Sequence, residues 1–153
     1  MKTVVVDSRK IERGWFVVDA AELTLGRLAS KAANVLIGKG KPAYSPNQDH
    51  GDYLIVVNAD KLRLSGIKPE TKTYFRHSGY AGGDKHRSFE EQMKLDSTQV
   101  IIHAVKGMVA KNARGRAIMR KLYVYRGPEH PHTAQQPKSL KLAIGPTPVV
   151  QKV

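Results

Sequence analysis

The sequence predicts an α/β fold with a parallel sheet flanked by helices. The runs Trp15-Phe16-Val17-Val18-Asp19-Ala20 and Tyr53-Leu54-Ile55-Val56-Val57-Asn58 are short, β-branched or aromatic, and do not alternate with polar residues. Continuous apolar runs of that length are the pattern of strands covered on both faces. Between them Leu25, Leu28, Ala29, Ala32, Val35 and Leu36 recur at helical spacing, with Thr24 placed to cap the start and Gly38 suited to the position after the end. Strand, helix and strand make a βαβ unit.

Further along, Lys61 to Ser65 and Thr71 to Arg76 read as two short strands joined around Gly66, a hairpin outside the parallel pattern. Ser88-Phe89-Glu90-Glu91 has the spacing of a capping box and should open a short helix through Lys94. Val100, Ile101, Ala104, Val105 and Met108 fit a helix capped by Ser97, although Val100-Ile101-Ile102 also suits a strand. Gly115 to Leu122 reads as a short, strongly basic helix, and Tyr123-Val124-Tyr125 as the last strand. Five of the eight prolines then fall in the last 27 residues, which lack any periodic apolar pattern. Residues 1–126 are therefore expected to form one domain and residues 127–153 an extended, proline-rich, basic tail.

Charge sets the functional expectation. The 153 residues hold 26 Lys or Arg against 13 Asp or Glu, a formal +13. Solubility is ordinarily served by a net charge of roughly 2 to 8 on a small domain, so a polyanionic partner is the first candidate. The excess is local: residues 61–126 carry 15 basic and 5 acidic side chains, and residues 106–126 carry Lys106, Lys111, Arg114, Arg116, Arg120, Lys121 and Arg126 with no acid at all. A solvated structural face mixes signs, whereas this run has the electrostatic footprint of a nucleic-acid binder. With 41% hydrophobic residues, disorder throughout is excluded. With no cysteine there is no disulfide framework, thiolate zinc site or cysteine nucleophile, which fits a reducing, intracellular compartment. The longest uncharged stretch, Leu142 to Gln151, is short and broken by Gly145, Pro146 and Pro148, so no membrane span is expected. The run Val4 to Val6 ends at Asp7, too soon for a signal peptide.

Tests for catalysis come out weakly. Gly38-Lys39-Gly40-Lys41 leaves a helix rather than a strand, the wrong polarity for a phosphate loop, and reads better as a basic loop or a helix-ending turn. Gly79-Tyr80-Ala81-Gly82-Gly83 follows a strand and precedes a capped helix, so its backbone amides are placed to meet a phosphate. It matches no nucleotide-binding spacing, and its neighbours Arg76, His77, Lys85, His86 and Arg87 suit a backbone phosphate better than a small-molecule pocket. His130-Pro131-His132 has only Glu129 beside it and makes a poor metal site. Asp49, His50 and Asp52 lack a serine elbow or a metal-binding helix. No enzyme activity, cofactor or small-molecule substrate is expected, a nucleotide-binding enzyme using the Gly79 to Gly83 loop being the rival.

The residues become recognisable at Val105-Lys106-Gly107-Met108-Val109, Gly115-Arg116 and Leu122-Tyr123-Val124-Tyr125-Arg126-Gly127, which closely resemble the signature of bacterial large-subunit ribosomal protein thirteen. Trp15 to Asp19, Leu25-Gly26-Arg27-Leu28-Ala29, Gly51-Asp52-Tyr53, His77-Ser78-Gly79, Gly82-Gly83 and Glu129-His130-Pro131-His132 with Ala134-Gln135-Gln136-Pro137 are similar to the same family. The resemblance spans about residues 15–142, and the extension from Ala143 onward lies beyond it. Ala110 and Arg126 depart from the family's usual residues. The resemblance implies a three-layer α/β/α domain around a mainly parallel four-stranded sheet, with an added hairpin and an extended C-terminal tail, its loops and tail laid against large-subunit rRNA. It also implies neighbouring ribosomal proteins as partners, a role in early subunit assembly, and a place in the ribosome, in the cytoplasm or inside an organelle. A messenger RNA is a second ligand the same surface could take.

On this reading Lys106, Lys111, Arg114, Arg116, Arg120 and Lys121 make the main phosphate contacts, with Arg76, Lys85 and Arg87 extending the surface and Lys39 and Lys41 adding a basic loop. Gly79, Gly82, Gly83, Gly107 and Gly115 allow close backbone approach. His77 flanks the glycine loop, and Tyr125, His130 and His132 are placed to stack on bases or sugars, core packing being the alternative for the tyrosine. Gln135 and Gln136 can pair with sugar hydroxyls or base edges.

Overall fold

The computed structural model describes residues 11–140, so Val4 to Val6 and the stretch from Leu142 lie outside the described residues. Trp15–Asp19 (β1) and Tyr53–Val57 (β2) form the expected strands and pair in parallel, Trp15 opposite Tyr53 and Asp19 opposite Val57. Leu25–Ile37 (α1) crosses between them. Thr24 occupies its N-cap position without a side-chain cap bond; instead the Leu25 amide donates to the Arg63 carbonyl at 3.0 Å. Gly38 ends the helix at φ +84°, where a side chain would be strained, and its amide and that of Lys39 close on the Asn34 and Val35 carbonyls.

The second crossover holds most of the departures from expectation. A hairpin is present, but Lys61 to Ser65 takes no part in it. Ala59–Lys61 is a 3-10 turn, Lys68–Thr71 (α2) is a single helical turn with Pro69 inside it, and Thr73–His77 (β3) pairs antiparallel with Asp84–Ser88 (β4). The glycine loop is thus the turn of this hairpin. Phe89–Met108 (α3) follows, opened by the expected capping box: the Ser88 hydroxyl accepts from the Glu91 amide at 3.2 Å and Glu91 accepts from the Ser88 amide at 3.0 Å.

α3 is two helical segments meeting at Asp96, whose φ of −159° and ψ of 98° are extended. The second segment is capped by Asp96 and not by Ser97. Asp96 Oδ1 accepts from the Thr98 amide at 3.0 Å and hydroxyl at 2.6 Å, while the Ser97 hydroxyl donates to Asp60. Ala113–Met119 (α4) starts earlier than expected, because Asn112 caps it through the Gly115 amide at 2.8 Å. Leu122–Val124 (β5) pairs with β2, and Lys138–Ser139 (β6), from the expected tail, pairs with β1. The sheet order is β5-β2-β1-β6 and every pairing within it is parallel.

The helices α1, α3 and α4 pack on one face of the sheet. Among the described residues the second helical layer of the expected α/β/α arrangement is therefore not formed: β1, β2 and β5 advance in one direction, and right-handed crossovers between them stay on one side. Phe16, Val18, Leu54 and Val56 meet Leu28 and Leu36 of α1, Val100, Ile101 and Val105 of α3, and Ile118 of α4 in one buried cluster. The opposite face carries stacked rings: Trp15 lies 4.3 Å from Tyr53 at 8°, and His132 sits 4.5 Å from Tyr123 and 5.2 Å from Trp15. That cluster fixes the chain beyond β5 against the sheet.

A buried polar junction joins three distant segments. Lys121, 4% exposed, donates to the Leu36 carbonyl at 3.1 Å and to Asp49 Oδ1 at 2.6 Å. Burial pushes the Lys121 ammonium down from the ordinary lysine range, and the Asp49 carboxylate opposes that shift. Asp52 accepts from the Gly14 amide at 2.8 Å and from the Lys41 ammonium at 2.5 Å. Gly51 is required here: a Cβ would stand 1.6 Å from the Leu36 carbonyl oxygen.

Replacing Lys121 by Met leaves Asp49 only its longer contact with Arg13, 3.8 Å away, and should destabilise the fold by roughly 3 kcal/mol in chemical denaturation, the low end for a broken buried pair because Asp49 keeps that cation and some contact with water. Asp96→Ala should lower stability by about 1 kcal/mol at neutral pH, with Asp96→Asn losing less because Asn also caps. Hydrogen bonds from Thr98, reinforced by Arg126, hold the Asp96 carboxyl below the ordinary carboxylate range. Its contribution is therefore complete above that range and is lost as the pH falls through the lowered value, so the gap between parent and Asp96→Ala should narrow on acidification.

Candidate nucleic-acid interface

The cations expected at the interface fall into clusters, of which two are joined by α3. The hairpin register sets Tyr74 opposite Arg87 and Arg76 opposite Lys85, so these four side chains share one face. With Ser78, Gln92, Gln99 and His103 they line a cleft of about 660 Å³ between the hairpin and α3. The Tyr74 hydroxyl is buried without a hydrogen-bond partner, and that burial raises its pKa. A second groove, of about 610 Å³, lies between the end of α3 and α4, with Lys106, Lys111 and Arg116 beside apolar Ile102, Val109, Met119 and Leu122. Gln99, His103 and Lys106 follow one another at helical spacing, so one stripe of α3 runs from the first cleft to the second.

Lys106, Lys111, Arg116 and Arg120 are exposed, as are Arg76, Lys85 and Arg87. Among the described residues the ion pairs involve Arg13, Lys41, His86, Lys121 and Arg126, so none of those seven cations has a carboxylate partner. Mutual repulsion of cations that share a cleft is relieved by an anion.

Several expected phosphate contacts are employed inside the protein instead. Lys121 is corrected to a structural role by its burial against Leu36 and Asp49. Gly115 is buried, and a Cβ there would stand 1.7 Å from the Ala110 carbonyl oxygen, so its missing side chain makes room for that carbonyl and not for a phosphate. Arg114 donates to the Pro46 carbonyl, with Nε and Nη2 buried. Lys41 is held by Asp52, while neighbouring Lys39 is exposed. Gly83 is occupied at close range by Ser78, whereas Gly79 (φ +94°), Gly82 (φ +71°) and Gly107 have open space around them.

In the chain beyond β5, Tyr125 and His132 pair with each other, Oη to Nε2 at 2.8 Å. Burial raises the Tyr125 pKa, with Tyr123 adding to the shift. The alternative of structural packing therefore describes Tyr125, and His132, expected to stack on RNA, packs against Trp15 and Tyr123. His130 is half-buried with Nδ1 unpartnered, and Gln135 and Gln136 are exposed beside the 3-10 turn Thr133–Gln135. His77 is exposed and accepts from the Gly79 amide through Nδ1 at 2.9 Å.

Charge along the sequence does not single out Phe75, 63% exposed, whose ring lies 5.0 Å from that of His86. Its signal is the alternation of Thr73 to His77, legible only once β4 is known to be the partner strand. Asp49 and Asp52, tested for hydrolysis, are both engaged with lysines. Among the described residues no group of three or more His, Asp or Glu is placed to hold a metal, and no helix is long and apolar enough to cross a membrane.

Known proteins supply the family. The family model described as "Ribosomal protein L13" matches residues 13–131. The chain is 52% identical over 142 residues to the large ribosomal subunit protein uL13 of Laribacter hongkongensis (strain HLHK9), covering 93% of this chain and 100% of that one. It is 52% identical over 141 residues to the protein of the same name from Prochlorococcus marinus (strain MIT 9303), covering 92% and 94%, and 51% identical over 142 residues to that of Pseudomonas aeruginosa (strain LESB58), covering 93% and 100%. On these matches, which span the sheet, the hairpin and the basic helices, the chain belongs to the ribosomal protein L13 family of structural large-subunit proteins, which are not enzymes.

Proposed function

We propose that the protein binds large-subunit rRNA directly through the basic surface along α3, α4 and the hairpin, and so supports early assembly of the subunit. The observation that carries this reading is the set of exposed cations Lys106, Lys111, Arg116 and Arg120, which have no carboxylate partner among the described residues. Arg76, Lys85 and Arg87 extend the same surface through the stripe of α3. A rigid sheet behind these side chains holds them apart at fixed spacing, so phosphates of two RNA helices can be neutralised together and their mutual repulsion reduced. The guanidinium groups grip a phosphate through two hydrogen bonds, and the lysines act as point charges. Neighbouring large-subunit proteins are the further partners this reading expects.

Sedimentation of a cell lysate through sucrose tests the reading: tagged protein should travel with the large subunit and its precursors, and recovery only in light, RNA-free fractions would defeat it. In vitro, the pair Arg116→Glu and Arg120→Glu should weaken binding to an rRNA fragment by about tenfold or more and reduce the salt slope by about 0.7 to 0.9 for each phosphate no longer neutralised. The circular-dichroism melt should stay close to that of the parent, because both side chains lie outside the core.

A further inference from the structure

We propose that the outer face of the β3–β4 hairpin is a stacking platform for an unpaired RNA base, with Phe75 as its surface. This rests on the RNA-binding reading above and adds to it a preference for single-stranded over duplex RNA.

Antiparallel pairing sorts the hairpin into two faces. Tyr74, Arg76, Lys85 and Arg87 line the cleft beside α3, which Phe75 also borders, and alternation groups Phe75 with His77 and His86 on the other face of the ribbon. There the Phe75 ring is 63% exposed, with the His86 ring centred 5.0 Å away and the His77 ring 6.3 Å away. The Gly79 amide fixes His77 by donating to Nδ1, so that imidazole is oriented before any ligand arrives. A single exposed aromatic residue is ordinary on a protein surface. An aromatic ring flanked by two imidazoles on a two-stranded ribbon, with three cations on the reverse face, matches one kind of ligand in particular.

An unpaired nucleotide presents a base face to the rings and a phosphate to the cations around the ribbon's edge. A duplex keeps its base faces stacked inside and offers only phosphates. A protein partner would need an apolar patch, yet Phe75 is the one apolar side chain that the two strands place on this face, its companions being Thr73, His77, Asp84, His86 and Ser88, with Tyr80 exposed in the turn. Asp84 is the one carboxylate among them, 4.0 Å from His86.

The test compares the full-length protein with Phe75→Ala, Phe75→Leu and Phe75→Trp on two probes, an unstructured RNA of about 12 nucleotides and an RNA duplex of about 12 base pairs at the same ionic strength. Phe75→Ala and Phe75→Leu should each lose about tenfold in affinity for the single strand, within the range one stacked base contributes, and keep duplex affinity and salt slope unchanged. Phe75→Trp should retain single-strand affinity, and its fluorescence should be quenched by the single strand beyond any change of Trp15 in the parent. If Phe75→Ala and Phe75→Leu bind the single strand as the parent does, or lose both probes equally, the platform is overturned while the RNA-binding reading stands. If the parent binds neither probe, that reading falls and the platform falls with it. The exposure of Phe75 predicts unchanged melting for all three variants, and Phe75→Trp gives an independent readout should the smaller side chains unfold the hairpin.

Discussion

The ammonium of Lys121 is the contact on which the rest of the domain depends. It joins the C-terminal end of α1, the Asp49 to Asp52 loop and the start of β5, which lie far apart in the chain. A helix C-terminus presents unsatisfied carbonyls and a partial negative charge, and a buried cation there answers both. The Lys121 carbonyl in turn accepts from the Leu54 amide at 3.0 Å, which sets the register of β5 on β2. Since α4 leads directly into β5, the same junction fixes where the exposed Arg116 and Arg120 stand. A lysine that belongs by sequence to the basic run thus serves as the anchor that presents the others.

The surface charge follows from how the carboxylates are used. Asp19 accepts from the Ala21 amide and from Asn58, Asp52 from Gly14 and Lys41, Asp60 from Ser97, and Asp96 from Thr98. Asp49 holds Lys121, and Glu91 completes the capping box. Acids tied to turns, caps and internal pairs do little to offset Lys106, Lys111, Arg116 and Arg120 outside. With those acids engaged, and Glu12, Glu22, Glu70, Asp84, Glu90 and Glu129 exposed outside residues 106–126, the stretch from Lys106 to Arg120 keeps a single-signed field.

The two sides of the hairpin extend that division. Its cleft face gathers cations against α3 and its outer face displays rings, because antiparallel alternation sends neighbouring residues in opposite directions. On the proposed reading, phosphate contact and base contact fall to different residues of the same five-residue strand, charge supplying attraction to RNA of either kind and stacking the distinction between paired and unpaired strands.

The sequence by itself determined the α/β class, the βαβ unit, the capping box and the location of the basic run. Those are short-range properties: apolar runs, helical spacing and a four-residue cap are set by neighbours in the chain. Lys61 to Ser65 has strand-like composition and so suggests itself as the hairpin's partner, yet only packing decides that Asp84–Ser88 pairs with Thr73–His77. Ser97 has the chemistry of a cap, but the kink at Asp96 gives that role to its neighbour and turns the hydroxyl toward Asp60. β6 is hidden in the sequence because two polar residues carry no strand pattern; their pairing with Phe16 and Val17 depends on the chain having returned to the sheet edge. Among the basic residues, charge was legible but destination was not. Lys121 and Arg116 look alike in the sequence, and only the tertiary structure, by placing a helix end and Asp49 beside one and solvent beside the other, makes the first an internal anchor and leaves the second exposed.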